Sequence, residues 1–410
     1  MPPSLTFDPP RAAYVHIPFC RRRCFYCDFP ISVVGDRPPI NSTFGSITEY
    51  VEVLCREIAI AGASSENPPL TTVFFGGGTP SLLTVEQLAQ ILNTLDRHFG
   101  IATTAEISME IDPGTFDLAH LQGYRAAGIN RVSLGAQSFQ LEILQACGRT
   151  HTPAEIYAAV EMIHQVGLTN FSLDLISGLP HLTLERWQES LEKAIALSPS
   201  HLSIYDLTVE PGTSFDRWYE TGAAPLPTDE MTAQMYRLAQ QTLTAAGYEH
   251  YEISNYGRSG YQCRHNRVYW ENRSYQGFGM AAASYINGQR FVRPRKRQEY
   301  FEWVDELKKN GGACCFADTA RVECAVVSQE ERLLDTLMLG LRLADGLSVD
   351  EMRSGFGNPL LAKVLAALQP YLKAGWVEIA SVPEQRIKLT DPEGFLFSNV
   401  VLSTLFEKLG

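Results

Sequence analysis

Over the first 210 residues the chain alternates between two textures. Short runs rich in β-branched and aromatic residues predict strands: AAYVHI (12–17), TTVFFG (71–76), AEISMEI (105–111), INRVSLG (129–135), NFSLDLI (170–176) and SHLSIYDL (200–207). Between them lie longer segments with helical apolar spacing, at 47–62, 84–100, 117–128, 153–167 and 183–197. Several end in Gly, which commonly stops a helix. Six consecutive strand–helix units predict an α/β fold with a parallel sheet wound as a partial (β/α)6 barrel.

Residues 211–300 are less regular, apart from a predicted helix at 228–247. From about Ser328 the texture changes again. SQEERLLDTLMLGLRLADG (328–346) and PLLAKVLAALQPYLKAG (359–375) predict helices, and WVEIA (376–380) with RIKLT (386–390) predicts a hairpin. This order suggests a small C-terminal α+β domain, winged-helix-like. Residues 326–410 carry 8 basic and 11 acidic side chains, net −3, which is wrong for DNA and suits a lid or docking domain. The expected division is a flexible tail (1–11), a barrel core (12–245), a linking segment (246–325) and the C-terminal domain (326–410).

The chemically interesting residues keep phase with the strands. Cys20, Cys24 and Cys27 follow the first, GGGTP (76–80) follows the second, and Glu110, Gln137 and Asp174 are expected to end the third, fourth and fifth. In parallel barrels the carboxyl ends of the strands form the active-site rim.

A net charge of −12 and a pI near 5.3 argue against nucleic acid as a partner. The sequence has no apolar run of about 18 residues and no secretory signal at its start. Nine cysteines, an odd number without a regular framework, argue against a disulfide scaffold and for a reducing, cytoplasmic setting. The adjacent Cys314 and Cys315 are read as loop cysteines without a role.

Three thiolates within eight positions call for a metal centre. Structural zinc takes four closed ligands, and no second CxxC completes such a set. A [4Fe–4S] cluster normally takes four thiolates, so three would leave one iron open to a ligand. The CxxxCxxC spacing after a first strand, followed by GGGTP, resembles the radical S-adenosylmethionine (SAM) superfamily. The resemblance implies that Cys20, Cys24 and Cys27 hold a [4Fe–4S] cluster and that SAM binds the fourth iron. It places Tyr14, Tyr26, Gly77, Gly78, Thr79 and Glu110 around SAM, with Tyr26 beside the adenine and Gly77 at the amino group.

YVHIPFC (14–20), GAQSF (135–139), GRTH (148–151), DLISGLP (174–180) and YDLTVEPGTSF (205–215) narrow the match. Together they resemble the oxygen-independent coproporphyrinogen III dehydrogenase family and its close relatives, the HemW heme chaperones. LMLGLRLADGL (337–347) resembles their shared HemN-type C-terminal domain. Gln137, Arg149 and Asp174 match positions that line a second SAM pocket in the dehydrogenase. Phe29 stands where the dehydrogenase carries a further cysteine, and HNRVYW (265–270) resembles the chaperones' heme-associated HNxxYW motif. The resemblance implies heme as a third cofactor, with His265 as the candidate contact, Tyr269 and Trp270 as porphyrin faces, and RPRKR (293–297) near the propionates. Taken alone, the same string reads as a packed turn with a satisfied histidine.

The implied partners are heme, a heme-accepting protein such as a respiratory enzyme, and an electron donor. A homodimer, and membrane contact through the acceptor, are compatible with this. The competing reading is the dehydrogenase itself, which Phe29 disfavours; a third is a radical SAM enzyme for another tetrapyrrole. The sequence departs from the chaperone pattern at Ala281, where glycine is expected, and at Ala283, where many relatives have histidine.

Overall fold

The computed structural model describes residues 8–35, 43–63, 68–309, 323–381 and 384–409. Cys314 and Cys315 lie outside them. β1 (Ala12–Ile17) runs into the cysteine loop, whose ends are tied by two short parallel strands, β2 (Phe19–Cys20) and β3 (Ser32–Val33). Five strand–helix units continue the pattern. The strands are β4 (Leu70–Gly77), β5 (Ile101–Ile111), β6 (Arg131–Gln137), β7 (Phe171–Ser177) and β8 (His201–Asp206). The connecting helices are α1 (Thr43–Gly62), α2 (Val85–Phe99), α3 (Leu118–Ala127), α4 (Leu141–Ala146), α5 (Pro153–Gln165) and α6 (Leu184–Ala196).

Local sequence starts the helices cleanly. Thr84 with Gln87, and Thr152 with Glu155, form reciprocal capping boxes at α2 and α5, and Thr183 caps α6. The strands carry fully buried Val, Ile, Leu and Phe, as expected for a sheet covered by helices.

The sheet has nine strands rather than six. After α7 (Ser214–Trp218) and α8 (Asp229–Ala245), β9 (Glu249–Glu252) and β10 (Asn255–Gly257) extend it antiparallel beyond β8. After α9 (Arg264–Trp270), β11 (Gln276–Phe278) joins the opposite edge parallel to β1. The order is β11-β1-β4-β5-β6-β7-β8-β10-β9, and its two ends do not pair, so the barrel is open. Strands of three or four residues show too little periodicity to be read from sequence.

β12 (Ala283–Ile286), β13 (Gln289–Val292) and β14 (Glu323–Val326) form a separate antiparallel sheet. Ala281, just before it, sits at φ 62°, in the left-handed region that glycine occupies without strain. This accounts for the glycine expected there. Ala281→Gly should stabilise the protein by roughly 0.5–1 kcal/mol; an unchanged or lower urea midpoint would refute this.

A second buried core gathers α10 (Gln329–Gly340), α11 (Val349–Ala374) and α12 (Ser398–Leu409) with the sheet β15 (Leu347–Ser348), β17 (Arg386–Leu389) and β16 (Val377–Ala380). The expected hairpin is β16–β17. The helix expected over 328–346 ends at Gly340 instead. The chain beyond it peels away to bond the β9 strand: Ile253 donates to the Arg342 carbonyl and Ala344 to the Tyr251 carbonyl, both at 3.0 Å. Arg237–Glu393 and His250–Asp391 pairs join the two cores at 2.7 and 2.9 Å. Among the described residues no helix is long and apolar enough to cross a membrane.

Candidate functional site

The cysteine loop is pinned on several sides. Phe25 N donates to the Cys147 carbonyl at 3.0 Å and Phe215 N to the Phe25 carbonyl at 3.1 Å. Arg23 reaches back to the carbonyls of Cys27 and Phe29 at 3.2 and 2.9 Å. Cys20, Cys24 and Cys27 are half-buried free thiols along one wall of a cavity of about 420 Å³. Burial pushes the Cys20 thiol up to about 12 and also raises Cys27, so both are held as neutral thiols until a metal displaces the proton. The thiols do not converge on a point: among the described residues no three His, Cys, Asp or Glu side chains could hold a single metal ion.

The cavity opens at the carboxyl ends of the strands. Tyr26, Gly77, Gly78 and Thr79 line it beside the thiols, and Glu110, Gln137, Arg149 and Asp174 line the rest. The glycine turn folds tightly onto the end of β1. Gly78 N donates to the Ile17 carbonyl at 2.9 Å, and a Cβ on Gly78 would stand 2.7 Å from the Phe19 carbonyl oxygen. Gly77 N donates to Glu110 Oε2 at 3.1 Å. Gln137 ends β6 at φ 63°, and its buried Oε1 has no hydrogen-bond partner. A strained residue with an orphaned acceptor facing a cavity is a mark of a binding site.

Burial and the neighbouring Asp174 push Glu110 up to about 8. Between the ordinary carboxylate range and pH 8 the folded protein therefore holds a proton that the unfolded chain has released. Stability falls as pH rises through that window. Glu110→Gln keeps an acceptor for Gly77 N and removes the charge. It should be more stable than the parent at pH 9, by on the order of a few kcal/mol, with the gap closing toward pH 4. Urea unfolding at the two pH values checks this; a gap independent of pH would refute it.

Three placements differ from expectation. Asp174 lies mid-strand in β7, three positions before its end, with both carboxylate oxygens accepting from Ser133 Oγ at 2.8 and 2.9 Å. Tyr14 lines an inner chamber of about 200 Å³ that adjoins the cavity and shares Glu110, Ser133, Asp174 and Tyr205 with it; the Tyr14 hydroxyl pairs with His16 Nδ1 at 3.0 Å. His265 lines the same chamber. Its Nδ1 pairs with Thr72 Oγ1 at 2.9 Å and its Nε2 with the Tyr269 hydroxyl at 2.8 Å. The ring stacks on Phe74, and burial pushes its pKa down to about 3. In this arrangement neither ring nitrogen is open to an iron.

The propionate role expected for RPRKR also fails at its first residue. Arg293 is buried in an ion pair with Glu57 at 2.7 Å, with neither side chain exposed.

Sequence reasoning missed four participants. Asp112 forms an ion pair with Arg149 and accepts from Thr79 Oγ1 at 3.3 Å; Arg149 in turn donates to the Gly135 carbonyl at 2.9 Å, which links the cysteine side of the cavity to β6. Glu106 accepts from the backbone amides of Arg264 and His265 at 3.1 and 3.0 Å, so a buried carboxylate fixes the start of α9. Arg131 lines the inner chamber and Tyr205 lines both spaces.

Residues 14–194 match the radical SAM superfamily model, and residues 327–397 match the HemN C-terminal domain. A heme chaperone HemW of Synechocystis sp. is 48% identical over 417 residues, covering 98% of each chain. The chain belongs to the HemW family of the radical SAM superfamily. The Bacillus subtilis HemW is 32% identical over 400 residues, covering 97% of this chain and all of that one. The solved structure of the Escherichia coli coproporphyrinogen III oxidase HemN, a radical SAM enzyme, has a TM-score of 0.79 at 23% identity, covering 97% of this chain and 90% of that chain. At that identity it speaks for the fold alone. Membership of the superfamily implies a [4Fe–4S] cluster and SAM. Three thiols on one cavity wall, a close glycine turn and the unpartnered Gln137 acceptor fit both.

Proposed function

We propose that the protein is a heme carrier of the HemW type, taking up heme and passing it to an acceptor protein. In this reading Cys20, Cys24 and Cys27 hold a [4Fe–4S] cluster, and Tyr26, Gly77, Gly78, Thr79 and Glu110 surround SAM. Bound together, cluster and SAM supply one-electron chemistry at the sulfonium. The chain's own contributions are more limited. Arg149, paired with Asp112, puts a guanidinium 3.6 Å from Cys24 Sγ, where it offsets thiolate charge. Thr79 Oγ1 donates to Cys20 Sγ at 3.6 Å. Glu110, largely protonated at neutral pH, adds little negative charge to the floor of the SAM site. Gln137 lines the same cavity and keeps a buried acceptor without a partner. The tail, barrel, linking segment and C-terminal unit divide at residues 11, 245 and 325 in this reading.

The observation that carries the proposal is Phe29. It stands 56% exposed on the cysteine loop, where the dehydrogenase pattern has a fourth cysteine, in a chain 48% identical to a named heme chaperone. The dehydrogenase remains the second reading because Gln137, Arg149 and Asp174, which match positions of its second SAM pocket, line the cavity.

One anaerobic assay separates the two: reconstituted protein with SAM, reductant and coproporphyrinogen III, quantifying protoporphyrinogen IX and 5′-deoxyadenosine. SAM cleavage without vinyl product supports the carrier; catalytic porphyrinogen conversion would overturn it.

A further inference from the structure

We propose that the outer side of the cysteine loop, formed by Arg23, Val33, Arg217 and Trp218, is where an acidic one-electron carrier protein docks to reduce the cluster. This rests on the cluster reading above. One electron leaves the carrier and enters the cluster; no bond forms or breaks and no proton moves. Place is the first ground. Val33 pairs with Cys20 in the short parallel sheet. Arg23 precedes Cys24 and donates to the carbonyls of Cys27 and Phe29. Trp218 packs edge-on against Phe25, the neighbour of Cys24, with ring centroids 4.8 Å apart. Arg217 precedes Trp218 in α7. All four side chains are exposed and none lines the cavity, so they face away from the SAM site.

Surface chemistry is the second. Val33 is 57% exposed and Trp218 52%. Both stand on fixed backbone: Val33 in its strand pair, Trp218 on α7, whose Phe215 N donates to the Phe25 carbonyl at 3.1 Å. Exposed apolar side chains held in place suit a protein partner, and electron-transfer encounters need little buried area. Charge is the third. Residues 20–35 carry three arginines and one aspartate, net +2, on a chain of net −12. Arg23 and Arg217 direct their hydrogen bonds to the carbonyls of Cys27, Phe29 and Gly212 and to the Ser214 hydroxyl. Those contacts orient the guanidiniums without neutralising them. Asp28, Asp216 and Glu220 are exposed acids near this face, and Asp216 accepts from Gly212 N at 2.9 Å. A basic patch with an apolar centre, on a chain that is acidic as a whole, draws an acidic partner to one face and repels it elsewhere.

The test uses the full-length, cluster-loaded, SAM-bound protein without oxygen, with a plant-type [2Fe–2S] ferredoxin as the acidic one-electron probe. Calorimetry measures binding of the oxidised ferredoxin. Stopped-flow absorbance measures electron exchange between the two proteins, in whichever direction their potentials favour. Arg217→Glu and Trp218→Asp should each weaken binding and slow exchange about tenfold. Both lie outside the cysteine loop, so the cluster ligands stay in place. Raising the salt from about 50 to about 500 mM should slow exchange with the parent about tenfold or more. Lys363→Glu, an exposed reversal on the C-terminal unit, should stay within about twofold. Reduction by photoreduced 5-deazaflavin, a small reductant that needs no docking, should change by less than about twofold in every variant. If deazaflavin fails to reduce the parent, the cluster reading itself fails. If deazaflavin reduces the parent but ferredoxin neither binds nor exchanges electrons, the outer side is not the docking surface and the cluster reading stands. Exchange indifferent to salt, to Arg217→Glu and to Trp218→Asp would overturn the surface in the same way.

Discussion

Replacing Arg293 with methionine is expected to destabilise the protein by about 3–5 kcal/mol, a large share of what a folded domain has. The substitution fills similar volume and leaves the Glu57 carboxylate in the interior without its cation. Glu57 would keep two partners, the Tyr300 hydroxyl at 2.7 Å and Gly279 N at 2.8 Å. Those satisfy hydrogen bonds, but they do not compensate a full charge removed from water. The guanidinium also donates to Ser284 Oγ at 2.6 Å, and that hydroxyl receives Gly277 N at 2.9 Å. Gly277 lies in β11, so the pair anchors the edge strand of the barrel to α1. Adding Glu57→Gln should recover part of the loss, because the orphaned charge goes with it. Urea denaturation of the two variants checks both statements. A loss below about 1 kcal/mol for Arg293→Met would mean the pair behaves like a screened surface bridge.

That arginine also shows where sequence reading stops. Within RPRKR it carries no mark to distinguish it from a solvated basic run, and only the fold brings Glu57, 236 positions earlier, against it. The strand–helix rhythm was legible because each long element has its own period and several helices carry Thr caps. The short strands β9, β10 and β11 were not, since they owe their structure to a neighbouring edge.

The site was legible in its cysteines and its glycine turn, where spacing itself encodes the loop. Asp112 and Glu106 could have been found. AEISMEID alternates strictly, so Glu106, Ser108 and Glu110 share the inward face of β5, and Asp112 continues the phase one residue past its end. Arg131, Ser133, Gly135 and Gln137 do the same on β6. A polar period of two inside an otherwise buried sheet points into the barrel, and that signal finds the cavity floor without any motif. His265 could not have been settled this way, because its partners Thr72 and Tyr269 come from β4 and its own helix and are joined only by packing.

Cluster loading should divide the cysteines sharply. After anaerobic reconstitution the parent is expected to hold about four irons per chain, and Cys20→Ala, Cys24→Ala and Cys27→Ala each close to none. Cys147→Ala is the informative comparison. Cys147 is buried, its carbonyl accepts from Phe25 N of the cysteine loop, and burial pushes its thiol up to about 12. It is the described cysteine outside the motif that is tied directly to the cysteine loop, and so the one to test as a hidden fourth ligand. With three thiolates and one open iron, Cys147→Ala keeps its iron, and SAM alters the electron paramagnetic resonance of the reduced cluster in that variant as in the parent. With a closed four-thiolate cluster, Cys147→Ala loses iron and SAM leaves the parent spectrum unchanged. Iron counting alone would not separate a damaged fold from a missing ligand. The SAM response in the parent does, because it reports directly on whether one iron is free to take a ligand that no cysteine supplies.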